Sequence, residues 1–263
     1  ENYGPDAILC GATPVYVPLP VDGPIDRERL AAAFSERTRA IIVNTPNNPT
    51  GRVLLRSELE AIAELCRRFD AYAVTDEMYE RICYDGEHVP MATLDGMRER
   101  TIMTSGASKT FSVTGWRVGW IVAPADVTAA IRKVHDFLTV GAPAPLQEGV
   151  AAALESLDDD YYTSLEADYR ERRDVLCTAL ADVGFRVTPP AGAYYVMADF
   201  SGLSNEDDVR FAERLTREVG VATVPGSSFV SRPELGRSWI RFAFCKRTEV
   251  LQQAAERLQI FGR

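Results

Sequence analysis

Side chains that bind metals are scarce in this sequence. Only two histidines, His88 and His135, occur in 263 residues. Neither stands at a metal-ligand spacing from the other or from a cysteine pair. The five cysteines lie far apart, include no Cys-x-x-Cys pair and are odd in number, which indicates reduced thiols in a cytoplasmic protein and not a disulfide framework. We therefore expect no metal site, and we expect the cysteines to fill the core.

Basic charge and long apolar runs are also lacking. The 29 Lys and Arg residues are outnumbered by 38 Asp and Glu residues, for a net charge of −9, so there is no overall basic field to attract nucleic acid. No apolar run approaches the roughly 20 residues of a membrane-spanning helix. The composition, 46% hydrophobic and 25% charged, is that of an ordinary globular enzyme. We expect neither a nucleic-acid nor a membrane partner.

The first half of the chain alternates apolar strands with amphipathic helices. Helices are predicted at 26–34, behind Asp26 as the N-cap, and after a capping box formed by Ser57 and Glu60. This order is typical of an α/β protein with a mostly parallel sheet, and it allows one antiparallel strand. The predicted strands are 13–20, 40–44, 71–77, 100–106 and 116–124.

The second half begins with helices and ends in a mixture of strands and helices. Two helices are predicted, from Asp126 to about 138 and from 146 to 157, followed by a long helix that ends before Gly184. The later strands and helices favour a small α+β domain. We predict two domains, residues 1–157 and residues 158–263, with the long helix at the start of the second. One side of that helix carries Leu165, Tyr169, Arg172, Leu176 and Leu180.

A single lysine stands in a segment with almost no other charge. Lys109 follows the small residues 105–108 and precedes Arg117 by eight positions. Partial burial lowers the pKa of an ammonium group, and the neutral amine can then form an imine with a carbonyl. Hydroxyl and guanidinium groups nearby suit a phosphate, because both donate hydrogen bonds to its oxygens. A carbonyl compound that carries a phosphate describes pyridoxal phosphate.

The segment GASKTFSVTGWRVG (106–119) resembles the lysine attachment motif of the class I and II aminotransferases, which are pyridoxal-phosphate enzymes of fold type I. It resembles in particular the branch that includes kynurenine, glutamine and N-succinyldiaminopimelate aminotransferases. The resemblance implies a large α/β domain with a mostly parallel, seven-stranded type of sheet, here without its N-terminal part, and a small α+β C-terminal domain. Further matches, in the family's order and roughly its spacing, are NNPTG (47–51), DEMY (76–79), GAYYV (192–196) and RFAFCK (241–246).

The resemblance implies that Lys109 holds pyridoxal 5′-phosphate as a Schiff base and that its freed amine then moves a proton as general base and acid. It assigns Asp76 to the pyridinium nitrogen, which keeps the ring an electron sink. From the residues alone, an aspartate after a strand is a helix cap about as often. Tyr79 and Asn48 are implied as donors to the ring oxygen. The residues alone allow a core tyrosine and a turn asparagine, with Asn48–Pro49 a candidate cis bond.

Arg117 is the implied phosphate ligand. Its place in the predicted apolar strand 116–124 makes a solvated surface ion pair the weaker interpretation. The family often carries a serine three residues before the lysine, where this sequence has Gly106. The hydroxyl contacts with the phosphate therefore fall to Ser108 and Ser105.

Arg241 is implied to bind the substrate's α-carboxylate through a bidentate pair, together with Asn48. It is the single cation of a predicted apolar strand within SWIRFAFCK (238–246), and from the residues alone a structural salt bridge has even odds. The segments PPAGAYY (189–195) and VPGSSF (224–229) are expected to line the same cleft, since glycine permits close approach of the backbone.

The implied function is transfer of an amino group between an L-amino acid and a 2-oxo acid by a ping-pong mechanism, in amino acid biosynthesis and by a homodimer. The loop TVGAPAP (139–145) has no cation, although dicarboxylate specialists of a related branch place an arginine there. Neutral, sulfur-containing or aromatic amino acids are therefore the expected substrates.

Two other functions remain open at this point. One is an elimination enzyme with the same fold and cofactor, such as a carbon–sulfur β-lyase or a cyclopropane-forming synthase, because function lies in the site and not in the fold. The other is a non-catalytic aminotransferase-like sensor domain attached to a DNA-binding module. The acidic composition favours the sensor least.

The resemblance also implies that part of the family's fold precedes Glu1, including a phosphate loop, an aromatic ring that stacks on the cofactor and a tyrosine that reaches into the partner subunit. Without those parts, apolar surface stays uncovered and the cofactor has fewer ligands. We expect residues 1–263 alone to be insoluble or poorly folded, and inactive.

Overall fold

The computed structural model describes residues 2–261 and divides into two compact units. The Lys109 unit comprises Pro24–Pro46 and Val53–Glu166. The Arg241 unit combines, within the described chain, the segment up to Gly23, the turn Asn47–Arg52 and everything from Ala167 onward. The domain bounds expected from the sequence, 1–157 and 158–263, stay a prediction.

Helices and strands occur in both units. In chain order the helices are α1 (Tyr3–Leu9), α2 (Arg27–Ala32), α3 (Arg56–Arg68), α4 (Ala107–Thr110), α5 (Ala125–Leu138), α6 (Ala144–Ser156), α7 (Asp159–Val183), α8 (Asp208–Arg214) and α9 (Thr248–Phe261). The strands are β1 (Ala40–Asn44), β2 (Tyr72–Asp76), β3 (Thr101–Gly106), β4 (Gly119–Val122), β5 (Arg186–Val187), β6 (Tyr195–Asp199), β7 (Val224–Pro225) and β8 (Trp239–Ala243). Within residues 2–261, no helix combines the length and apolar character needed to cross a bilayer.

The sheet of the Lys109 unit has the order β1-β2-β3-β4. Strands β1, β2 and β3 are parallel, and β4 is antiparallel to β3. The register places Asn44 opposite Asp76 and Asp76 opposite Thr104, so the carboxyl ends of the three parallel strands meet at one edge. The predicted α/β class, with a mostly parallel sheet and one antiparallel strand, is confirmed.

Two of the predicted strands need correction. Residues 13–20 lie in neither helix nor strand, because three prolines among these eight residues cannot donate to a strand ladder. The strand predicted at 116–124 is limited to β4, since Thr114–Trp116 form a turn of 3-10 helix and Arg117 has a left-handed φ of 55°.

The helix starts show which side chains cap them. Asp26 Oδ1 accepts a hydrogen bond from Arg29 N at 2.9 Å, as predicted for α2. The capping box predicted from Ser57 and Glu60 is wrong, because α3 begins earlier, after Leu55. Glu58 makes that cap: its Oε2 accepts from Leu55 N at 2.9 Å, and its Oε1 accepts from Ile25 N at 2.8 Å. Both contacts satisfy backbone donors that would otherwise lack a partner.

The Arg241 unit contains an antiparallel sheet of order β5-β6-β8-β7. Its core includes Phe200 and Phe211, whose rings stack with centroids 4.1 Å apart. In the described chain α7 ends at Val183, before Gly184, as predicted. Arg172, predicted on the same side as Leu176 and Leu180, is only half-buried, whereas Arg173 is buried and donates from Nη1 to Pro190 O at 3.0 Å. The small α+β arrangement is confirmed.

The five cysteines are all free thiols, but they differ in exposure. Cys66 and Cys177 are buried, Cys83 and Cys245 are half-buried, and Cys10 is exposed, so the expectation of a core position is wrong for Cys10. Burial raises the pKa of Cys66 and of Cys83 to about 11 and the pKa of Cys177 to about 12. These three thiols stay protonated at neutral pH.

Alkylation should therefore separate Cys10 from the core cysteines. At pH 8 we expect iodoacetamide to modify Cys10 first and to leave Cys66 and Cys177 unmodified in the native protein, because the thiolate is the nucleophile and a pKa near 11 leaves only about one thiol in a thousand ionised. Peptide mass mapping over time measures this, with denatured protein as the control in which all five react. Equal native rates for Cys10 and Cys177 would contradict the prediction.

Candidate functional site

Most of the candidate residues of the Lys109 unit lie at the carboxyl edge of its parallel strands. Asp76 is the last residue of β2, and Lys109 lies three residues beyond the end of β3. Tyr79 follows β2 in a turn and is buried, with 4% of its surface exposed. Ligands of open α/β sheets bind at this edge. The fold thus brings Asp76, Tyr79 and Lys109 to one edge of one sheet.

Asp76 is held by both its main chain and its side chain. Asn44 Nδ2 donates to Asp76 O at 3.0 Å, and Met78 N donates to Asp76 Oδ1 at 3.1 Å. Residues 77–80 after β2 form no helix, so the alternative interpretation of Asp76 as a helix cap does not apply. The half-buried carboxylate is oriented by the turn and remains at the edge of the sheet.

Lys109 is half-buried in α4, and the backbone on either side of it is tied to neighbouring side chains. Thr114 Oγ1 donates to Ser108 O at 3.1 Å, and Tyr161 Oη donates to Thr110 O at 2.7 Å. Burial also raises the pKa of the Tyr161 phenol, so it remains a donor at neutral pH. Sequence reasoning missed Tyr161, because it stands 51 residues away from Thr110 and local spacing gives no signal of that contact.

Ser105 and Ser108 are both buried. Ser105 Oγ donates to Glu80 Oε1 at 2.9 Å, so its proton is used within the protein. Steric crowding explains why position 106 is a glycine. A Cβ there would lie 3.0 Å from both Gly119 Cα and Val118 O. The close approach of β3 and β4 thus accounts for the departure from the family's serine.

Arg117 does not lie within a strand, and that part of the prediction is wrong. It precedes β4, is exposed, and donates from Nη1 to Thr114 O at 3.1 Å. This contact directs the guanidinium back over the turn that follows α4. The assignment of Arg117 to a phosphate stays a prediction.

The Arg241 unit brings together two candidates that are 193 positions apart. Arg241 Nη1 donates to Asn48 Oδ1 at 2.7 Å. The predicted cis bond between Asn48 and Pro49 is confirmed. The turn interpretation is also confirmed, since Asn47 Oδ1 accepts from Thr50 N at 3.2 Å and Gly51 N donates to Asn47 O at 2.7 Å.

The turn that carries Asn48 is locked against the glycine turn before β6. Gly192 N donates to Gly51 O at 2.7 Å. Gly51 has a positive φ of 67°, and a Cβ on it would lie 2.7 Å from Gly192 O. Only glycine fits this position, and the contact fixes Asn48 relative to the neighbouring β6 strand.

Two aromatic rings beside Arg241 were missed by sequence reasoning. The guanidinium carbon lies 4.2 Å from the ring centroid of Tyr195 and 4.6 Å from that of Phe229. Both distances are within the range of cation–π contacts. Both rings belong to segments that the sequence assigned to the cleft for their glycines, at 189–195 and 224–229, and not for their aromatic residues.

A buried polar group lies directly behind Asp76. Glu77 is 1% exposed, and its Oε2 is 2.7 Å from His88 Nε2, while Thr75 Oγ1 donates to its Oε1 at 2.8 Å. Glu77, Glu80 and His88 each place one metal-ligand atom within 4.8 Å of the others. The Glu77–His88 distance is that of a hydrogen bond, shorter than the roughly 3 Å between two ligands of one zinc ion. Hydrogen bonding therefore accounts for this arrangement.

Comparison with known proteins connects both units to one family. The family model described as aminotransferase class I and II matches residues 1–258. A probable N-succinyldiaminopimelate aminotransferase of Mycobacterium tuberculosis is 40% identical over 275 residues, which cover 100% of this chain and 69% of the relative. The solved structure of the N-succinyldiaminopimelate aminotransferase from that organism matches with a TM-score of 0.94 at 40% identity, over 98% of this chain and 68% of that one.

Two further relatives carry other substrate names. A kynurenine–oxoglutarate transaminase of Dictyostelium discoideum is 38% identical over 256 residues, which cover 89% of this chain and 59% of the relative. A methionine aminotransferase of Escherichia coli is 36% identical over 261 residues, which cover 98% of this chain and 67% of the relative. The chain thus spans between 59% and 69% of the length of these three relatives.

The buried Glu77–His88 contact should contribute strongly to stability. Removal of His88 leaves Glu77 buried with Oε2 deprived of this contact and only Oε1 held by Thr75, so His88→Ala should lower the free energy of unfolding by about 3 kcal/mol. Urea denaturation of the parent protein measures this loss. Glu87→Ala, at an exposed neighbouring position, is the matched control and should change it little. A loss for His88→Ala no larger than that of the control would show that the contact is not stabilising.

Proposed function

The chain belongs to the class I and II aminotransferase family, and on that premise we propose that Lys109 carries pyridoxal 5′-phosphate and catalyses transamination. The observation that carries the proposal is the position of Lys109 beyond the end of β3 at the same sheet edge as Asp76, the last residue of β2. An amine and a carboxylate at this edge are the two groups that a pyridine aldehyde needs.

The donors of the Lys109 unit fit such a cofactor. Lys109 and Asp76 are half-buried at this edge. The buried phenol of Tyr79 lies at the same edge. Ser108, Ser105 and Arg117 offer two hydroxyls and a guanidinium for the phosphate, with Ser105 already donating to Glu80. When bound, pyridoxal phosphate supplies a carbonyl for the amino group and a ring that accepts the electrons of the broken Cα–H bond.

Each residue then has a distinct task. Lys109 Nζ would take the proton from the substrate's Cα as a base and, as an acid, would deliver it to the carbon on the other side of the substrate's nitrogen. The Asp76 carboxylate stabilises a proton on the ring nitrogen, and it is preoriented for this by Met78 N. The Tyr79 hydroxyl donates to the ring oxygen. Asn48 is assigned to the same oxygen by its match to the NNPTG motif, through Nδ2, since its Oδ1 accepts from Arg241.

Arg241 is the proposed ligand of the substrate's α-carboxylate. Its guanidinium is planar and remains charged at neutral pH, so it can pair with a carboxylate through two parallel hydrogen bonds. The contact with Asn48 fixes one end of that plane. The alternative interpretation as a structural salt bridge is disfavoured, because the hydrogen bond that the Arg241 guanidinium makes within the described chain goes to the neutral amide of Asn48 and not to a carboxylate.

Transamination is favoured over the other two functions. The three relatives described above are all named as aminotransferases or transaminases, so a carbon–sulfur β-lyase is not favoured. The non-catalytic sensor is disfavoured because the residues needed for catalysis, Lys109 and Asp76, are both present at the sheet edge. The chain therefore acts in amino acid metabolism.

For the substrate we propose a neutral, sulfur-containing or aromatic L-amino acid, with a 2-oxo acid as acceptor, in a cytoplasmic biosynthetic enzyme. The loop that links α5 and α6 carries no cation for a second carboxylate. Relatives named for methionine and kynurenine support this choice. Exposed apolar side chains at the end of α5, Phe137 and Leu138, support the proposal of a homodimer.

The lysine assignment can be tested directly. In the parent protein, borohydride reduction followed by peptide mapping should find the cofactor on Lys109, and Lys109→Ala should abolish this labelling and the transamination activity, because no other amine occupies that position. Lys133→Ala, at an exposed position of α5, is the matched control and should retain both. Labelling of a different lysine would overturn the assignment.

Asp76→Asn tests the electron sink. The variant should still bind cofactor but should lose the substrate's α-deuterium several orders of magnitude more slowly, since a neutral amide does not hold a proton on the ring nitrogen. Loss of α-deuterium is measured by mass spectrometry in single-turnover reactions. Asp136→Asn, on the exposed surface of α5, controls for the general effect of the substitution. An unchanged rate for Asp76→Asn would remove Asp76 from this role.

A survey of amino donors tests the substrate class. We expect kcat/KM for methionine, glutamine or phenylalanine to exceed that for aspartate, because the second carboxylate of aspartate would be desolvated without a cation. The survey uses 2-oxoglutarate as acceptor and compares initial rates at equal enzyme concentration. Aspartate preferred by more than about tenfold would overturn the proposal, since that corresponds to about 1.4 kcal/mol of recognition.

A further inference from the structure

The Arg241 guanidinium has aromatic rings close by at Tyr195 and Phe229. The guanidinium carbon is 4.2 Å from the Tyr195 centroid and 4.6 Å from the Phe229 centroid. Nη1 is used by Asn48, while Nε is buried and has no hydrogen-bond partner among the described residues. Beyond the bond to Asn48, the Nη1 and Nη2 groups are thus left to an incoming acceptor. The rings favour approach in the guanidinium plane.

Tyr195 is placed beside Arg241 by the sheet. Register on β6 and β8 pairs Tyr195 with Ala243 and Met197 with Arg241, so Tyr195 and Arg241 are diagonal neighbours within reach of one another. The ring of Tyr195 packs on Tyr194 with centroids 4.7 Å apart, and Tyr194 stacks on Tyr169 of α7 at 5.7 Å. The ring is therefore supported from behind by two further aromatic residues.

Phe229 is placed by a short 3-10 helix, Gly226–Phe229. Asp208, 3% exposed at the start of α8, accepts a hydrogen bond from Ser227 N through Oδ2 at 2.7 Å. A Cβ on Gly226 would lie 2.6 Å from Trp239 O, so this segment packs directly against the start of β8. A buried carboxylate and a close backbone contact thus hold the segment that carries Phe229.

The rings matter because an arginine side chain is flexible. Immobilising a free side chain on binding costs conformational entropy, and a cation–π contact that already holds the side chain reduces that cost. Asn48 alone fixes one nitrogen and leaves rotation about that contact. Rings against the guanidinium restrict this rotation before any ligand arrives. The affinity for a carboxylate should therefore depend on the rings as well as on the charge.

We propose that Tyr195 and Phe229 are positioning residues that clamp the Arg241 guanidinium and so determine the affinity of this site for the substrate's α-carboxylate. The inference rests on the proposed role of Arg241 in transamination. The rings act through Arg241, and the ligand class is a planar carboxylate that approaches in the plane of the guanidinium.

Phe229→Leu and Tyr195→Leu, made in the parent protein, test the clamp. Each should weaken binding of 4-(methylthio)butanoate, which is methionine without its amino group, by about 5- to 30-fold, the equivalent of one cation–π contact. Calorimetry on the cofactor-free protein measures this affinity, and the KM for methionine should rise by a similar factor with a smaller fall in kcat. For 3-(methylthio)propylamine, which lacks the carboxylate, KM should not change.

Conservative variants separate positioning from folding. Phe229→Tyr and Tyr195→Phe keep the rings and should restore most of the affinity, while Leu235→Ala, at an exposed nearby position, should match the wild type. Phe229 is half-exposed, so its leucine variant should fold, and thermal unfolding verifies this. Unchanged carboxylate affinity in a folded Phe229→Leu protein, or an equal loss for the amine, would overturn the clamp. Absence of cofactor from Lys109 would instead overturn the proposed function.

Discussion

The parallel register of β1, β2 and β3 is the constraint on which the Lys109 unit depends. Because Asn44, Asp76 and Thr104 lie side by side, each strand delivers its last residues to the same edge. The Asn44 side chain then holds the backbone of Asp76, and the backbone around Lys109 is held by Thr114 and Tyr161. The reactive side chains at this edge are therefore attached to backbone segments that other side chains hold in place.

Buried polar contacts next to that edge hold β2, β3 and the loop after β2 together. Glu77 alternates with Asp76 along the chain, so its side chain points to the buried side, where it meets His88 and Thr75. Ser105 reaches Glu80 from the neighbouring strand. These hydrogen bonds join two strands and the loop after β2. Because hydrogen bonds are directional, they restrict the relative orientation of these segments more than apolar packing does.

Sequence patterns predicted helices, strands and caps correctly where these depend on residues close together in the chain. The strand at 40–44 and the cap at Asp26 are examples, since each depends on neighbouring residues. The strand predicted at 13–20 is absent, because three prolines in these residues cannot donate to a strand ladder despite the apolar alternation. Long-range contacts, such as Arg241 with Asn48 and Phe229, or Tyr161 with Thr110, depend on the folded chain. Candidate residues are therefore recognisable from local motifs, whereas their neighbours are set by contacts between distant parts of the chain.

Gly106 and Gly119 face each other across β3 and β4, and a side chain at position 106 would meet the main chain of Val118 and Gly119 as well as the end of the Met78 side chain. The residue type at this position therefore governs the spacing between two strands. A larger residue at position 106 of this chain would require the neighbouring atoms to move by a few tenths of an ångström, next to the segment that leads to Lys109. A change of side chain at position 106 is thus coupled to a displacement of the backbone that leads to Lys109.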